Sequence, residues 1–374
     1  MDTLLDYVKW MEDFDFETVP LRDADILIMC LLAYFDLAPG YVSEMIPRAD
    51  SGEVRLHITG GDMGNRDVFN AAVHSKRFGS LKVTDCVDIL KEDPPLQFAA
   101  MTFRCDQFTL VAFRGTDSSL AGWKENFMIS FTRTRAQELA AEYANQIIAA
   151  ADGPCYVAGH SKGGNLALYA GCQLTDENLR KTEHIFTLDG PGLCPEVIDP
   201  SLIRRIDSKT TFVNPEFDVI GKLFEPKLTK VLIIKSFRDG FAQHSLPSWL
   251  IDHGKLTSVP TNAPASIRLN QIIDEWVADK SPEVREHFVD ELFEAIREKG
   301  VDDFENMKFE SLVDIMISLR SASDTTKDML RELQHKLLSP EDILRPTLEK
   351  AKNNFNEFKN TLEQAVKKHQ REDN

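Results

Sequence analysis

The sequence predicts an α/β protein, with a mostly parallel central sheet flanked by helices and a helical extension at its C-terminal end. Three observations carry this prediction. Apolar strand patterns alternate with helix patterns between residues 96 and 258, which is typical of a parallel sheet covered by helices. A glycine-flanked serine, within residues 155–165, separates an apolar strand from a helix of small residues. Beyond Ser258 the apolar residues recur only at helical spacing.

Residues 1–95 predict an N-terminal helical segment that packs on the core. An apolar run over residues 21–35 predicts a buried helix, which the Pro-Gly pair at 39–40 ends. Residues 41–95 contain a glycine cluster and a Pro-Pro pair. They therefore predict short helices and loops that lead to the sheet.

Residues 96–258 predict the core that contains the sheet. Two apolar runs, 96–103 and 108–113, flank a short polar turn and predict a β-hairpin. The other predicted elements of this core are helices over 119–130, 136–151, 165–174 and 196–206, and strands over 155–158, 184–188, 210–214 and 231–236.

Residues 259–374 predict a region of helices alone. The sequence Ser-Pro-Glu occurs at 281–283 and again at 339–341, and it predicts a helix start because serine caps a helix and proline suits its first position. The apolar stripes of these helices must be buried, since soluble proteins rarely expose large apolar patches. We therefore expect the region either to dock beside the sheet as a cap over the Ser161 cleft or to join copies of the chain in a homo-oligomer.

Composition and charge exclude several classes of partner. The 374 residues carry a formal net charge of −17, whereas nucleic-acid binding needs clustered Lys and Arg, so no nucleic-acid partner is expected. The N-terminus lacks the basic start of a signal peptide, and no transmembrane segment of ~20 apolar residues is visible. The six cysteines form no C-x-x-C pair, which favours reduced thiols over a disulfide framework or zinc site. We expect a cytoplasmic protein with no cofactor and no metal.

The sequence Gly159-His160-Ser161-Lys162-Gly163 is a G-x-S-x-G motif between a strand and a helix. This context predicts a nucleophile elbow, the sharp turn that exposes a catalytic serine hydroxyl. The two glycines allow the strand and helix backbones to approach each other without a Cβ clash. We expect the side chain of His160 to point away from Ser161 and to pack beneath the elbow.

A serine nucleophile needs a histidine to take its proton and an acid to fix the tautomer of that histidine. In the hydrolase arrangement the acid and then the histidine follow later strands, and Asp218 and His244 stand at such places. The predicted triad is therefore Ser161, Asp218 and His244. The alternatives that stay open are Asp189 and Glu216 for the acid and His253 for the histidine.

Two backbone N–H groups are candidates for an oxyanion hole. The N–H of Lys162 lies at the start of the helix after Ser161, where the helix dipole favours negative charge. The second donor should come from an earlier junction of strand and loop, and Thr116 follows Gly115 at such a junction. The Lys162 side chain is expected either near an anionic group of the substrate or in solvent.

Several motifs together resemble those of the fungal-type triacylglycerol lipases, a family of α/β-hydrolases. The resemblance covers roughly residues 95 to 250, and it is greatest with an uncharacterised bacterial lipase-like family that carries a G-H-S-K-G-G elbow. The resemblance implies an α/β-hydrolase fold, Ser161 as nucleophile, Asp218 and His244 as its partners, and Thr116 and Lys162 as the oxyanion hole. The motifs are Phe113-Arg114-Gly115-Thr116, then Trp123 and Asn126, the stretch Gly159 to Asn165, and the stretch Phe186 to Pro191.

The chain departs from those lipases at two positions. Lys162 replaces an apolar residue after the nucleophile, and the pair Asp189-Gly190 alters the motif before a proline. We therefore expect a serine hydrolase of carboxylic esters, lipase-like or esterase-like, that acts through an acyl-enzyme on a small-molecule or lipid ester. The alternatives are a thioesterase or acyltransferase with the same triad, and a non-catalytic scaffold with an interacting helical region.

Overall fold

A mixed β-sheet flanked by helices forms the centre of the protein in the computed structural model. The structure describes residues 2–58, 62–117, 122, 124–125, 128–129, 132–218, 220–278, 280–298 and 322–337. The predicted α/β class is confirmed at this level. The strands are β1 (Gly40–Tyr41), β2 (Lys82–Lys91), β3 (Leu96–Cys105), β4 (Phe108–Phe113), β5 (Cys155–His160), β6 (Thr182–Leu188), β7 (Thr210–Pro215), β8 (Val231–Ile234), β9 (Ile251–Asp252), β10 (Lys255–Leu256) and β11 (Ser258–Val259).

The helices lie before, between and after these strands. They are α1 (Leu4–Met11), α2 (Asp23–Leu32), α3 (Ile46–Ser51), α4 (Asn65–His74), α5 (Lys76–Gly79), α6 (Arg135–Ala149), α7 (Lys162–Cys172), α8 (Asp176–Lys181), α9 (Pro200–Ile206), α10 (Pro264–Ala278), α11 (Pro282–Glu298) and α12 (Asp324–Leu337). The N-termini of α6 and α8 are capped by the side chains of Thr134 and Thr175, which accept from backbone N–H groups of the first turn.

The central sheet has the strand order β1-β2-β3-β4-β5-β6-β7-β8-β11. Strands β4 to β8 are mutually parallel, while β1, β2, β3 and β11 join antiparallel at the two sides. Because the carboxyl ends of parallel strands meet at one edge, the loops after β4, β5, β6 and β7 converge there. This edge contains the segments that the sequence analysis selected for catalysis.

Two apolar cores cover the two faces of the sheet. One core joins α1, α2 and α4 to β3, β4 and neighbouring strands. The other joins α6 and α7 to the sheet and includes Trp276, Phe288, Val289, Phe293 and Met329 from α10, α11 and α12. The described C-terminal helices therefore pack on the core of the protein.

A buried ion pair fixes the N-terminal helices to one another. The guanidinium of Arg77 donates to both carboxylate oxygens of Asp25 at 2.7 and 2.6 Å, and both side chains are fully buried. Arg77 also donates to four backbone carbonyls in residues 14–20. Such a pair persists in the interior because hydrogen bonds satisfy the remaining donors.

The largest difference from the predicted organisation lies before residue 96. The ten-residue strand β2 falls in a stretch that predicted only short helices and loops, and it pairs along its length with β3. Its apolar residues do not alternate regularly, because a bulge between Val83 and Asp85 places Val83 on the face opposite to Val87 and Ile89. The sheet therefore begins inside the segment expected to be helical.

Other expectations concern the ends of the chain and its cysteines. The second predicted helix start, at 339–341, and most of the predicted helix 119–130 lie outside the described residues. All six cysteines are free thiols. In the described part of the chain, none of the helices combines the length and the apolar character that a membrane span requires.

Candidate active site

Ser161 occupies a strained turn between β5 and α7. Its φ of 59° and ψ of −130° lie where residues other than glycine are rarely found. The backbones are so close here that a Cβ on Gly159 would lie 2.0 Å from the Gly163 carbonyl oxygen, and a Cβ on Gly163 would lie 2.1 Å from that of Phe113. This is the geometry of a nucleophile elbow.

The acid that contacts His244 is Asp189. The Nδ1 atom of His244 lies 2.6 Å from Oδ2 of Asp189, which directly follows β6 and has a φ of +46°. Aspartate tolerates this left-handed backbone better than most residues do. From this position the Asp189 carboxylate reaches His244. The assignment of Asp218 as the direct partner of His244 is corrected to Asp189, one of the two alternatives that the sequence left open.

The other candidates lie in different surroundings. Asp218 is buried beside Asp189 and accepts from Asn214 Nδ2 at 2.8 Å and from the N–H of Gly221 at 2.8 Å. Glu216 has a half-buried side chain for which the structure shows no contact with His244. His253 is exposed and pairs with its neighbour Asp252, so it plays no part in this cluster.

His244 is held next to the elbow by His160, the residue before Ser161. The Nε2 atom of His160 donates to the carbonyl oxygen of His244 at 2.9 Å, and the two imidazole rings lie with centroids 4.6 Å apart. Since Nε2 carries the proton, Nδ1 of His160 accepts from the hydroxyl of Tyr34 at 2.9 Å. Tyr34, two residues after α2, thus supports the loop of His244 from the N-terminal segment.

The loop that carries His244 has two further anchors. Trp249 donates from Nε1 to the carbonyl oxygen of Gln243 at 2.8 Å. The side-chain oxygen of Gln243 accepts from the N–H of Phe217 at 2.8 Å, which ties this loop to the one that bears Asp218. The hydrogen bonds of the described residues include none between the Ser161 hydroxyl and the His244 ring, and such bonds often tighten only when substrate is bound.

The loop after β4 lies against Ser161. A Cβ on Gly115 would lie 3.0 Å from Cβ of Ser161 and 2.2 Å from the Tyr34 hydroxyl. The next residue, Thr116, is buried, and its hydroxyl finds no partner among the residues that the structure describes. This buried hydroxyl, one residue after the glycine that contacts Ser161, is a candidate donor to an oxyanion, in addition to the Thr116 N–H.

The side chain of Lys162 does not face the substrate side. It is fully buried, and its Nζ atom donates to the carbonyl oxygen of Gln97, to Oε1 of Gln97 at 2.8 Å and to Oε2 of Glu125 at 2.6 Å. Both expectations for this side chain, an anionic substrate group and solvent, are therefore wrong. The backbone N–H of Lys162 stays a candidate for the oxyanion hole, because it belongs to the first turn of α7.

Replacing Lys162 with methionine should destabilise the protein by about 3–5 kcal/mol, because it leaves the Glu125 carboxylate buried without its cation. The free energy of unfolding, measured by urea denaturation, checks this expectation. Lys162→Met combined with Glu125→Gln should restore most of the loss, since no charge is then left buried. Lys76→Met, at an exposed lysine, serves as the control. A double variant no more stable than the single one would contradict the explanation.

Burial controls the protonation of the cluster. It raises the pKa of Asp189 to about 7, and burial together with the Asp189 charge raises the pKa of Asp218 well above its usual value. Burial lowers the pKa of His244 to about 4, and it lowers the pKa of His160 well below its usual range. Both imidazoles are therefore neutral near pH 7, as a general base must be.

The C-terminal helix α10 contacts the loop that carries Asp218. Ser266 Oγ donates to the Asp218 carbonyl oxygen and accepts from the Asp218 N–H, and Asn270 donates to the same carbonyl at 2.8 Å. Asp290 on α11 pairs with Lys124, in the segment after β4, at 2.7 Å. Docking beside the sheet is thus observed for the described helices, whereas a cap over Ser161 stays a prediction.

A cavity of about 1050 Å³ lies beside the site, between the loops after β6 and β7 and helix α10. Its wall is mainly apolar, with Leu193, Ile203, Phe224 and Ile267 among the lining residues, and Asn270 connects it to the Asp218 loop. Ser161 does not belong to its lining. The cavity therefore adjoins the acid side of the cluster and not the nucleophile.

One group of side chains has the spacing of a metal site. Asp36, His57 and Asp88 bring ligand atoms within 4.8 Å of one another. However, Asp88 forms a two-bond pair with Arg114 at 2.9 and 2.8 Å, and His57 bonds to Asp36. These contacts already satisfy the charges, so the arrangement is explained without a metal ion.

Comparison with known proteins places the chain in one family. The Mbeg1-like family matches residues 72–294, while a comparison with curated proteins gives no match. The matched residues include the elbow, His244, Asp189 and Asp218, and they make up more than half of the chain. The chain belongs to the Mbeg1-like family.

Proposed function

We propose that this protein is a serine hydrolase that cleaves a carboxylic ester through an acyl-enzyme intermediate. The observation that carries the proposal is the strained elbow at Ser161 with the His244–Asp189 pair at the same sheet edge. A strained backbone at a serine is costly to maintain, and a buried acid–histidine pair has a direct use beside a nucleophile. The α/β-hydrolase fold and the relationship to lipases belong to this proposal.

In the proposed mechanism the Ser161 hydroxyl attacks the ester carbonyl while Nε2 of His244 takes its proton. Asp189 holds the Nδ1–H of His244 and stabilises the imidazolium that forms. The N–H groups of Thr116 and Lys162 donate to the carbonyl oxygen as it becomes an oxyanion. The imidazolium then protonates the leaving alcohol, and water releases the acyl group by the same steps in reverse.

The burial of Lys162 bears on the substrate. Because the ammonium group of Lys162 pairs with Glu125 inside the protein, it offers no positive charge to an anionic acyl or leaving group. A neutral ester is therefore the first choice over an anionic one. Thioester hydrolysis and acyl transfer use the same residues, and they are outcomes of the test that follows.

A fluorophosphonate probe should label the wild-type protein on Ser161, because such probes react with serines that a neighbouring base activates. Mass spectrometry of the labelled peptide gives the position. A screen of acyl esters and acyl thioesters of graded chain length then defines the substrate class. Heat-denatured protein is the control for non-specific labelling. Absence of labelling, together with no turnover in the screen, would support a non-catalytic scaffold instead.

A further inference from the structure

A second carboxyl group lies behind the His244–Asp189 pair. Asp189 uses Oδ2 for His244, while its Oδ1 accepts the N–H of Gly221 at 3.1 Å. The same N–H donates to Oδ1 of Asp218 at 2.8 Å, so the two carboxyls converge on one backbone donor and lie side by side. Asp189 and Asp218 are both 1 % exposed. A single backbone donor is therefore shared by two buried carboxyls.

No cation compensates this pair in the part of the chain that the structure describes. The ion pairs found there link Asp189 only to His244 and give Asp218 no Lys or Arg. Two carboxylates in contact within the interior cannot both be ionised, since burial and mutual repulsion each favour a proton. One proton must therefore belong to the pair.

The proton belongs on Asp218. Asp189 contacts the Nδ1–H of His244, a donor that favours the ionised form of its partner. Asp218 has only neutral donors, the Asn214 amide and the Gly221 N–H. Burial and the Asp189 charge raise the pKa of Asp218 well above the usual value. The two carboxyls titrate as a coupled system in which Asp218 is the last to lose its proton.

We propose that Asp218 is a protonated positioning residue, which donates its carboxyl proton to Oδ1 of Asp189 and so holds Asp189 against His244. This role rests on the proposed hydrolase function and deepens it. The backbone of Asp218 is fixed from the other side by Ser266 and Asn270 of α10. Helix α10 thus helps to fix the position of the Asp189–His244 pair through Asp218.

The titratable groups that face this pair are few. His244 comes from the loop after β8, and His160 of β5 lies against the His244 ring. The side chains that β7 and α10 direct to the Asp218 segment are Asn214, Ser266 and Asn270, which do not titrate. A loss of a proton from this cluster at alkaline pH is therefore assigned to Asp218, because Asp189 is then already ionised.

The first test detects the carboxyl proton of Asp218 directly and does not depend on substrate turnover. An infrared difference spectrum between alkaline and neutral pH should show loss of the carbonyl stretch of one neutral, buried carboxyl in the wild-type protein. Asp218→Asn should lack this band. The matched control, Glu216→Gln, removes an acid two residues away that does not face the pair, and should keep it. A wild-type spectrum without the band, or a band unchanged in Asp218→Asn, would overturn the proposal.

The second test uses turnover of the ester found in the screen. Asparagine keeps a neutral donor at position 218, so Asp218→Asn should retain kcat within about tenfold of the wild type. The wild type should lose activity at alkaline pH when Asp218 ionises, and Asp218→Asn should lack this alkaline limb. A loss as large as that of Asp189→Asn, or an unchanged alkaline limb, would show that Asp218 is not a neutral donor. Absence of turnover in the wild type would instead count against the hydrolase function, while the infrared result would still stand.

Discussion

Replacing Ser161 with alanine should lower ester hydrolysis by ~10³-fold or more and abolish fluorophosphonate labelling. The alanine lacks the hydroxyl that forms the acyl-enzyme, and only the oxyanion donors and substrate binding remain. Rates of hydrolysis with purified protein, measured against the uncatalysed reaction, check the expectation.

The fold must be unchanged for this result to count. Alanine and serine are strained to a similar degree by the backbone conformation of the elbow. The urea midpoint of Ser161→Ala should therefore stay near that of the wild type. Ser201→Ala, at an exposed position on α9, is the matched control and should keep full activity. Persistent labelling or turnover in Ser161→Ala would move the nucleophile to another residue.

Replacing Asp189 with asparagine should lower kcat by about 10³ to 10⁴-fold. Asparagine is nearly the same size as aspartate, but its uncharged side chain neither stabilises the imidazolium nor enforces the tautomer with the proton on Nδ1. The comparison of kcat between Asp189→Asn and the wild type at neutral pH checks this.

The matched control for Asp189→Asn is Asp218→Asn, the same chemical change one contact further from His244. The two variants should differ by about two orders of magnitude or more if Asp189 alone is the ionised partner. If Asp218→Asn instead lost more kcat than Asp189→Asn, the acid of the triad would be Asp218, as the sequence analysis predicted.

Much of the architecture follows from the sequence because the patterns are local. The hairpin of β3 and β4, the elbow and the parallel strands β5 to β8 all stand within a few residues of their predicted positions. Each depends on apolar periodicity or on glycine at a turn, which neighbouring residues determine. Strand β2 was not predicted because the bulge between Val83 and Asp85 interrupts that periodicity.

The identity of the acid depends on contacts that no local pattern contains. Asp189 and Asp218 both follow parallel strands, so both reach the same sheet edge, and the order of residues along the chain does not distinguish them. The choice depends on the left-handed backbone of Asp189 and on the position of the His244 loop. The direction of the Lys162 side chain depends in the same way on Glu125 and Gln97, which are distant in sequence.

The contact between Tyr34 and His160 has a consequence for how the protein can be divided. The family match begins at residue 72, so a fragment cut to the matched residues would lack the phenol that satisfies His160 Nδ1. It would also lack α1 and α2, and would expose one apolar face of the sheet to water. A fragment of residues 72–294 is therefore expected to be less stable than the full chain, and the contacts around His160 are complete only when the first 35 residues and the His244 loop have both docked.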